Sequence, residues 1–560
     1  MDKKKVFLSV LVILVLSTLL RLFNLNKPEG MWNDEYLTYE TAHKELWLDF
    51  INAVVANCHA PLHYLYLKVW MHFFGESDYV LRLSSLVPGV LSVLVMFFAG
   101  CHATKKYSGE AGLVAALFAA INGFLIYFSQ EVRIYSLLFL LSSISILFAL
   151  KAIDNPSRKN VTFFLITSFL VMIEHTIGFV FVFFSSIGVI LFASKKTKFQ
   201  KYFISTLLIL LILFIPIGIF LYNIMFHQTY FSQWWAPFSV SKLEFFFTDL
   251  LSPYLVNITN APPEFMSMVY SSSRVNIGFV IFALIPLAIA LMFAIRGVFE
   301  FTNKVKYFLL TFFGVYLTVV AASMFGKIVF LTKYMTEIVP ILMLLVALGF
   351  TTVKNKNFKT ITGAIYVAIT LFFIFASAYS PVKLVRTEGQ NIPPVMLNIL
   401  GYNTNDKVLF LYYPKERFSK YSPLISDNSN TSHISKYDFV MIYDGVWSME
   451  EAYKNGKRDY LHVFQSDKNQ HLDDFLQENV YSKLVNGEKF YLVDFAPVSL
   501  FSDEEFKAVL NSKENYSRTP FLFLVFSYIR NYVVQKSFEK LDLTQVVENF
   551  DWRIYVFQKT

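Results

Sequence analysis

Apolar residues in this chain come in long unbroken stretches, not in alternation with polar ones. The first lies in MDKKKVFLSVLVILVLSTLLRLF; others occupy residues 83–103, 110–128, 134–152, 161–193, 202–224, 276–295, 307–325, 334–352 and 360–380. A helix needs roughly 20 residues to cross about 30 Å of hydrocarbon, so most of these stretches predict one crossing each. The stretch 161–193 is too long for one and short for two. Read as two, it puts KKTKFQK (195–201) on the side of the N-terminal lysines; read as one, it inverts everything after it. We take two, which predicts a polytopic α-helical membrane protein of about eleven transmembrane helices.

The N-terminus has a basic head and an apolar stretch but no small-residue cleavage site, and it predicts an uncleaved signal anchor. With that head in the cytoplasm, the clusters Lys3–Lys5, Lys105–Lys106, Arg158–Lys159, Lys195–Lys201, Arg296 with Lys304 and Lys306, and Lys354 with Lys356 and Lys359 all fall on the cytoplasmic side. Such alternation is the positive-inside signal.

Beyond Pro381 the pattern changes. KVLFLYY, DFVMIYDG, KFYLVDFAP and DWRIYVFQ read as short strands, and SMEEAYKN and DEEFKAVLNS as helices between them. We expect residues 1–381 to form the transmembrane catalytic domain, with a first outer loop at 24–82, and 382–560 a soluble extracytoplasmic α/β domain. PFLFLVFSYIRNYVVQ (520–535), short and interrupted by Arg530, reads as a core element of that domain, not a further span.

Composition agrees. Of 560 residues 55% are hydrophobic and 16% charged, with mean hydropathy +0.48; soluble domains carry about a quarter charged residues. The formal net charge of +8 sits in short clusters between apolar runs, so it reads as topology and not as a nucleic-acid surface. Cys58 and Cys101 fall at opposite ends of an expected span, too far apart for a disulfide.

The polar residues can now be placed by side. Loop 24–82 carries Asp34, Glu35, His59, His63 and Arg82; FSQEVRIYS (128–136) carries Gln130, Glu131 and Arg133; Glu174 and His175 stand at the outer turn of 161–193; GKIVFLTKY brings Lys327 and Lys333. Ionisable groups from separate segments thus collect at one membrane face, where they are costly unless they line a shared cavity. An acid pair with several cations at such a face suits transfer of a sugar from a polyprenyl phosphate. A carboxylate takes the acceptor hydroxyl's proton, and the leaving phosphate needs cations and no general acid.

Plainer readings exist for each residue. Asp34 could cap a helix, Arg133 could snorkel to the interface, and Lys333 could cap its span. His59 and His63, four apart, could hold a divalent metal, though Pro61 between them disfavours a regular helix. No metal ligand is assigned on this basis, and nothing else in the chain calls for a cofactor. FSQWWAPF (231–238), with Trp234 and Trp235, reads as an interfacial belt in preference to a sugar platform.

The ordered segments NDEYLTYETA, HAPLHYLYLKVWMHFFGESDYVLRLSSLVPGVLSV, FSQEVRIYSLLFLLSS, EHTIGFVF and TKYMTEIVPILMLL resemble glycosyltransferases of the GT-C fold, specifically the family 39 group, which includes protein O-mannosyltransferases and the lipid A aminoarabinose transferase. The resemblance covers residues 1 to about 380. It implies a polyprenyl-phosphate sugar donor, an extracytoplasmic acceptor and inversion at the transferred carbon. By its motifs Asp34 is the general base and Glu35 its neighbouring acid. His59, Pro61 and Tyr64 match an HPPLYY-like stretch; Gln130, Glu131, Arg133 and Tyr135 match QEARMYS; Lys333 and Tyr334 match an RY pair expected at the donor phosphate.

Three departures stand out. Asn57 replaces a frequent acid, Ala60 replaces a proline, and Lys333 replaces an arginine, giving up bidentate phosphate geometry. The expected function is a multi-pass glycosyltransferase of the plasma or inner membrane. The alternative is a transporter or flippase of lipid-linked sugars, which predicts ionisable groups near the midplane and repeated halves.

Overall fold

The computed structural model describes residues 2–23, 25, 31, 33–56, 60–193, 246–247, 250, 270–271, 274–275, 277–324, 331–378, 407–411, 431–434, 473, 476–477, 481–494, 535–548 and 553–559. The expected span at 202–224, the tryptophan loop 231–238, the strand at DFVMIYDG, both C-terminal helices and nearly all of 520–535 lie outside these residues. The chain forms two compact units, Met1–Val385 and Arg386–Thr560.

The first unit is helical. In order come α1 (Lys3–Leu22), α2 (Asn33–His43), α3 (Trp47–Ala56), α4 (Leu62–Phe74), α5 (Asp78–Ala103), α6 (Ser108–Ile121), α7 (Gly123–Phe128), α8 (Tyr135–Asp154), α9 (Arg158–Glu174), α10 (Gly178–Phe192), α11 (Ile277–Val298), α12 (Asn303–Met324), a 3-10 turn (Thr332–Ile338), α13 (Val339–Thr352) and α14 (Lys356–Ala378). Among the described residues six helices are long and apolar enough to cross a membrane: α1, α5, α8, α12, the run Thr332–Thr352, and α14 over Lys356–Phe375. Shorter apolar helices are α6, α10 and Leu284–Val298 within α11. The chain is a multi-pass helical membrane protein, and 161–193 is indeed two helices, α9 and α10.

Apolar side chains divide between core and periphery. α13 is buried from Val339 through Gly349, while α1 turns Phe7, Leu8, Leu11, Val12 and Val15 outward, as a lipid-facing helix must. Between such helices hydrophobicity gives no preference for protein over lipid, so close packing decides contact. A Cβ on Gly100 of α5 would lie 2.8 Å from the Gly112 Cα of α6, and one on Gly349 of α13 would lie 1.8 Å from the Phe293 carbonyl of α11. Only glycine lets these backbones meet.

Two interruptions shape the end of the bundle where the polar residues gather. Asn122 breaks the expected span 110–128 into α6 and α7: its side chain accepts from Leu125 N at 3.1 Å and donates to Leu250 O at 2.6 Å. Pro340, in the first turn of α13, has no N–H, and its ring crowds the carbonyl four residues earlier, so the α-helix cannot extend backward. The chain enters instead through the 3-10 turn, with Met335 off helical geometry at φ −113° and ψ 26°. Lys333, Tyr334 and Glu337 ride on this turn.

The second unit holds a five-stranded mixed sheet of β3 (Lys407–Leu411), β4 (Thr431–Ile434), β5 (Lys489–Asp494), β6 (Asp542–Glu548) and β7 (Arg553–Gln558), in the order β4-β3-β5-β7-β6; a two-residue hairpin, β1 (Tyr270–Ser271) with β2 (Arg274–Val275), belongs to the first unit. β3 pairs in parallel with β4 and β5; β7 is antiparallel to β5 and β6. Three strands fall where the sequence predicts them. β4 and β6 carry too many polar residues to announce themselves.

Candidate active site

α2 begins with two acids in its first turn, where the positive end of the helix dipole favours them. One residue apart in sequence, they meet different surroundings. Both Glu35 oxygens are engaged: Oε1 accepts from Arg82 Nε at 3.2 Å and from Val132 N at 2.9 Å, and Oε2 from Arg82 Nη2 at 3.0 Å. Arg82 also donates to Leu25 O at 3.3 Å. This buried fork ties α2 to α5 and to the 129–134 loop. Asp34 keeps 28% of its side chain exposed, and its Oδ2 stands 3.5 Å from Arg133 Nη2 and 3.9 Å from Lys333 Nζ.

Arg133 is aimed by groups on α2, about a hundred residues away in the chain. Its Nη1 donates to Asp34 O at 3.1 Å and to Thr38 Oγ1 at 3.0 Å, so one guanidinium edge grips the first turn of α2 and the other faces the Asp34 carboxylate. Burial alone would lower the Arg133 pKa, but the Asp34 carboxylate and then Tyr135 and Tyr64 outweigh it, and the net shift is upward. Burial pushes the Glu131 carboxyl well up, Glu35 adds to the rise, and Lys333 and Arg133 oppose it. Tyr64, on α4, is pushed up to about 12 by burial. Arg133 and Lys333 both face the Asp34 carboxylate, and two cations so placed suit an anion.

The remaining candidates tie neighbouring segments together. Gln130 donates to Arg21 O at 2.9 Å and Phe23 O at 2.8 Å, closing the end of α1. His63 Nδ1 lies 3.4 Å from Glu174 Oε1, and His175 Nδ1 lies 2.5 Å from Glu337 Oε1, all four side chains buried. The Tyr334 ring lies 5.9 Å from that of His175 and also receives the Lys333 ammonium, 5.7 Å away. His59 and Lys327 lie outside the described residues. Among the described residues no three His, Cys, Asp or Glu groups are gathered as a metal would need.

Two residues that sequence reasoning did not single out also belong here. Glu337 sits inside an apolar run, and a lone carboxylate there is a signal in itself. Arg21, fully buried at the end of α1, donates to Ser17 Oγ at 2.7 Å, Ala120 O at 3.0 Å, Ala119 O at 3.1 Å and Ser129 Oγ at 3.1 Å, so it closes the C-terminal carbonyls of α6. Together these contacts define a polytopic membrane protein whose polar groups converge at one end of its bundle, with one accessible carboxylate set between two cations.

No family model matches the sequence, and no curated protein does. Among solved structures the chain is similar to ArnT from Cupriavidus metallidurans, in the apo state and bound to undecaprenyl phosphate, each at TM-score 0.48 and 9% identity over 99% of this chain and 98% of that one. It is also similar to the oligosaccharyltransferase of Archaeoglobus fulgidus in the apo form, at TM-score 0.44 and 11% identity over 88% of this chain and 70% of that one.

Proposed function

We propose that this protein is a membrane glycosyltransferase that moves a sugar from a polyprenyl-phosphate donor to an acceptor outside the cytoplasm. The observation that carries the reading is the placement of Asp34: partly exposed, 3.5 Å from Arg133 and 3.9 Å from Lys333, beside a neighbouring acid engaged by Arg82 and the Val132 N–H. These distances exceed hydrogen-bond length, so an entering phosphate can draw both cations to itself. Asp34 is then left to the acceptor.

The acceptor O–H gives its proton to Asp34 as its oxygen bonds to the sugar's anomeric carbon. On the opposite face the bond from that carbon to the phosphate oxygen breaks, and its electron pair leaves with the polyprenyl phosphate, stabilised by Arg133 and Lys333. Configuration inverts, as in single-displacement glycoside chemistry. Glu35 serves by fixing α2, and Gln130, Glu131, Arg82 and Tyr334 shape the pocket. The membrane end bearing this cluster faces outward, consistent with the basic residues at the other end, where Lys304 donates to Asp154 Oδ2 at 2.6 Å.

The test uses purified full-length protein and radiolabelled polyprenyl-phosphate sugars. Release of polyprenyl phosphate coupled to acceptor labelling supports the reading. Movement of intact donor across proteoliposome membranes, with no bond broken, would instead identify a flippase.

A further inference from the structure

Glu174 and His175 are consecutive, yet each pairs with a different element. Glu174 meets His63 of α4 at 3.4 Å, and His175 meets Glu337 of the 3-10 turn at 2.5 Å. Glu174 and Glu337 have 0% side-chain exposure. Among the described residues no hydrogen bond reaches either Glu174 oxygen or Glu337 Oε2. Glu337 is hydrogen-bonded to the His175 ring, whereas Glu174 and His63 meet as a buried contact with no hydrogen bond between them.

These pairs join the two halves of the candidate site. α4 grips the end of α2, the Asp34 helix, because Lys68 Nζ donates to Ala42 O at 3.3 Å and to Lys44 O at 2.5 Å. Tyr66 and Trp70 anchor α4 to α5 through Ser84 O at 2.7 Å and Val80 O at 2.9 Å. On the other side, Glu337 follows Lys333 and Tyr334 on one short turn, and His175 packs its ring beside Tyr334. A closed circuit results. It runs from α2 through α4, His63, Glu174, His175 and Glu337 to Lys333, and returns across the 3.9 Å approach to Asp34.

We infer that the Glu174–His175 dipeptide, with His63 and Glu337, is a clasp that sets the spacing between Asp34 and Lys333. All four are positioning residues. The inference rests on the proposed reading, in which Lys333 meets the donor phosphate, and it adds what holds Lys333 there. Misplacing a binding group by about 1 Å can cost about 100-fold in rate. The clasp is therefore a determinant of phosphate binding although none of its members touches the phosphate.

Binding of undecaprenyl phosphate to the full-length protein in detergent is the experiment, with melting temperature recorded in parallel. His175→Gln and Glu337→Gln should each weaken binding about 10-fold at temperatures well below melting. The exchanged pair, H175E with E337H, should recover affinity to within about 3-fold of the unaltered protein. Should the exchanged pair not fold, His63→Gln takes its place, since it breaks the other half of the clasp without touching the 3-10 turn; it should lose the same 10-fold or so.

Unaltered protein that binds while the single variants bind equally well overturns the clasp alone. So does a folded exchanged pair no better than the singles. Unaltered protein that does not bind undecaprenyl phosphate overturns the donor reading and the clasp with it.

Discussion

Arg82 and Glu35 meet edge to edge, with Nε 3.2 Å from one carboxylate oxygen and Nη2 3.0 Å from the other, and neither side chain is more than 4% exposed. Removing one partner of such a pair leaves a buried uncompensated charge and costs about 3–5 kcal/mol. Arg82→Met should therefore lower the unfolding free energy by about that amount. Glu35→Gln, which can keep the Val132 N–H as a donor to its carbonyl, should cost less. Thermal or denaturant unfolding in detergent reads both, and a near-neutral Arg82→Met would mean that the fork does not hold α2.

Asp34 should behave in the opposite way. Its carboxylate is partly exposed, and its contacts with Arg133 and Lys333 are longer than hydrogen bonds, so Asp34→Asn should leave the melting temperature nearly unchanged. If it is the general base, turnover of a labelled polyprenyl-phosphate sugar should fall by about 100- to 10,000-fold. Comparing turnover and melting of Asp34→Asn with those of Glu35→Gln separates the two adjacent acids, and an active Asp34→Asn variant would sink the proposed chemistry.

In the sequence that separation rests on the resemblance alone, which marks Asp34 as the base; the residues themselves carry no physical reason for it. Asp34 and Glu35 are neighbours in one string, and which of them keeps an exposed carboxylate depends on Arg82 and Val132, 47 and 97 residues from Glu35. Six of the expected spans were legible, because hydrophobic length is a local property set by bilayer thickness. Even the division of 161–193 followed from charge. The break at Asn122 was not legible, because an asparagine in an apolar run gives no hint of the Leu250 carbonyl that it bonds. Glu337 stands inside TKYMTEIVPILMLL, where the cation that the resemblance marks is Lys333. The acid was nevertheless the anomalous residue of that run.

Glu131 gives a pH signature. Its carboxyl is raised well above the ordinary value of 4.5, chiefly by burial and then by Glu35. The folded state therefore holds this proton where the unfolded chain has released it. With more protons bound in the folded state, stability falls as pH rises above the unfolded value, and it levels off once the folded carboxyl also ionises. Glu131→Gln removes the titration. The variant should melt higher than the unaltered protein at alkaline pH and show a flatter melting profile from weakly acidic to alkaline buffer. Parallel profiles for the two proteins would show that Glu131 does not titrate with folding.

Arg21 provides the sharpest structural test, because its bonded partners are neutral. Five acceptors surround it, two of them the carbonyls of Ala119 and Ala120 at the end of α6, where the helix dipole is negative. Lysine cannot reproduce this. A single ammonium has three N–H donors from one nitrogen, whereas the guanidinium spreads five over a planar fork that reaches from Ser17 to Ser129. Arg21→Lys should thus leave part of the set unsatisfied, at about 1–3 kcal/mol per buried group. Arg21→Met should leave all five acceptors without this donor and melt lower still. Gly89 bears on the same contact, since a Cβ there would lie 2.2 Å from Ser129 Oγ and 3.1 Å from Arg21 Nε. Gly89→Ala should push Ser129 and Arg21 off their shared bond and destabilise the protein by a similar route. Combined with Arg21→Met, it should cost less than the sum of the two single changes, because the guanidinium that it would displace is already gone. Full additivity in melting experiments would show that the two residues act separately and that Gly89 is small for some other reason.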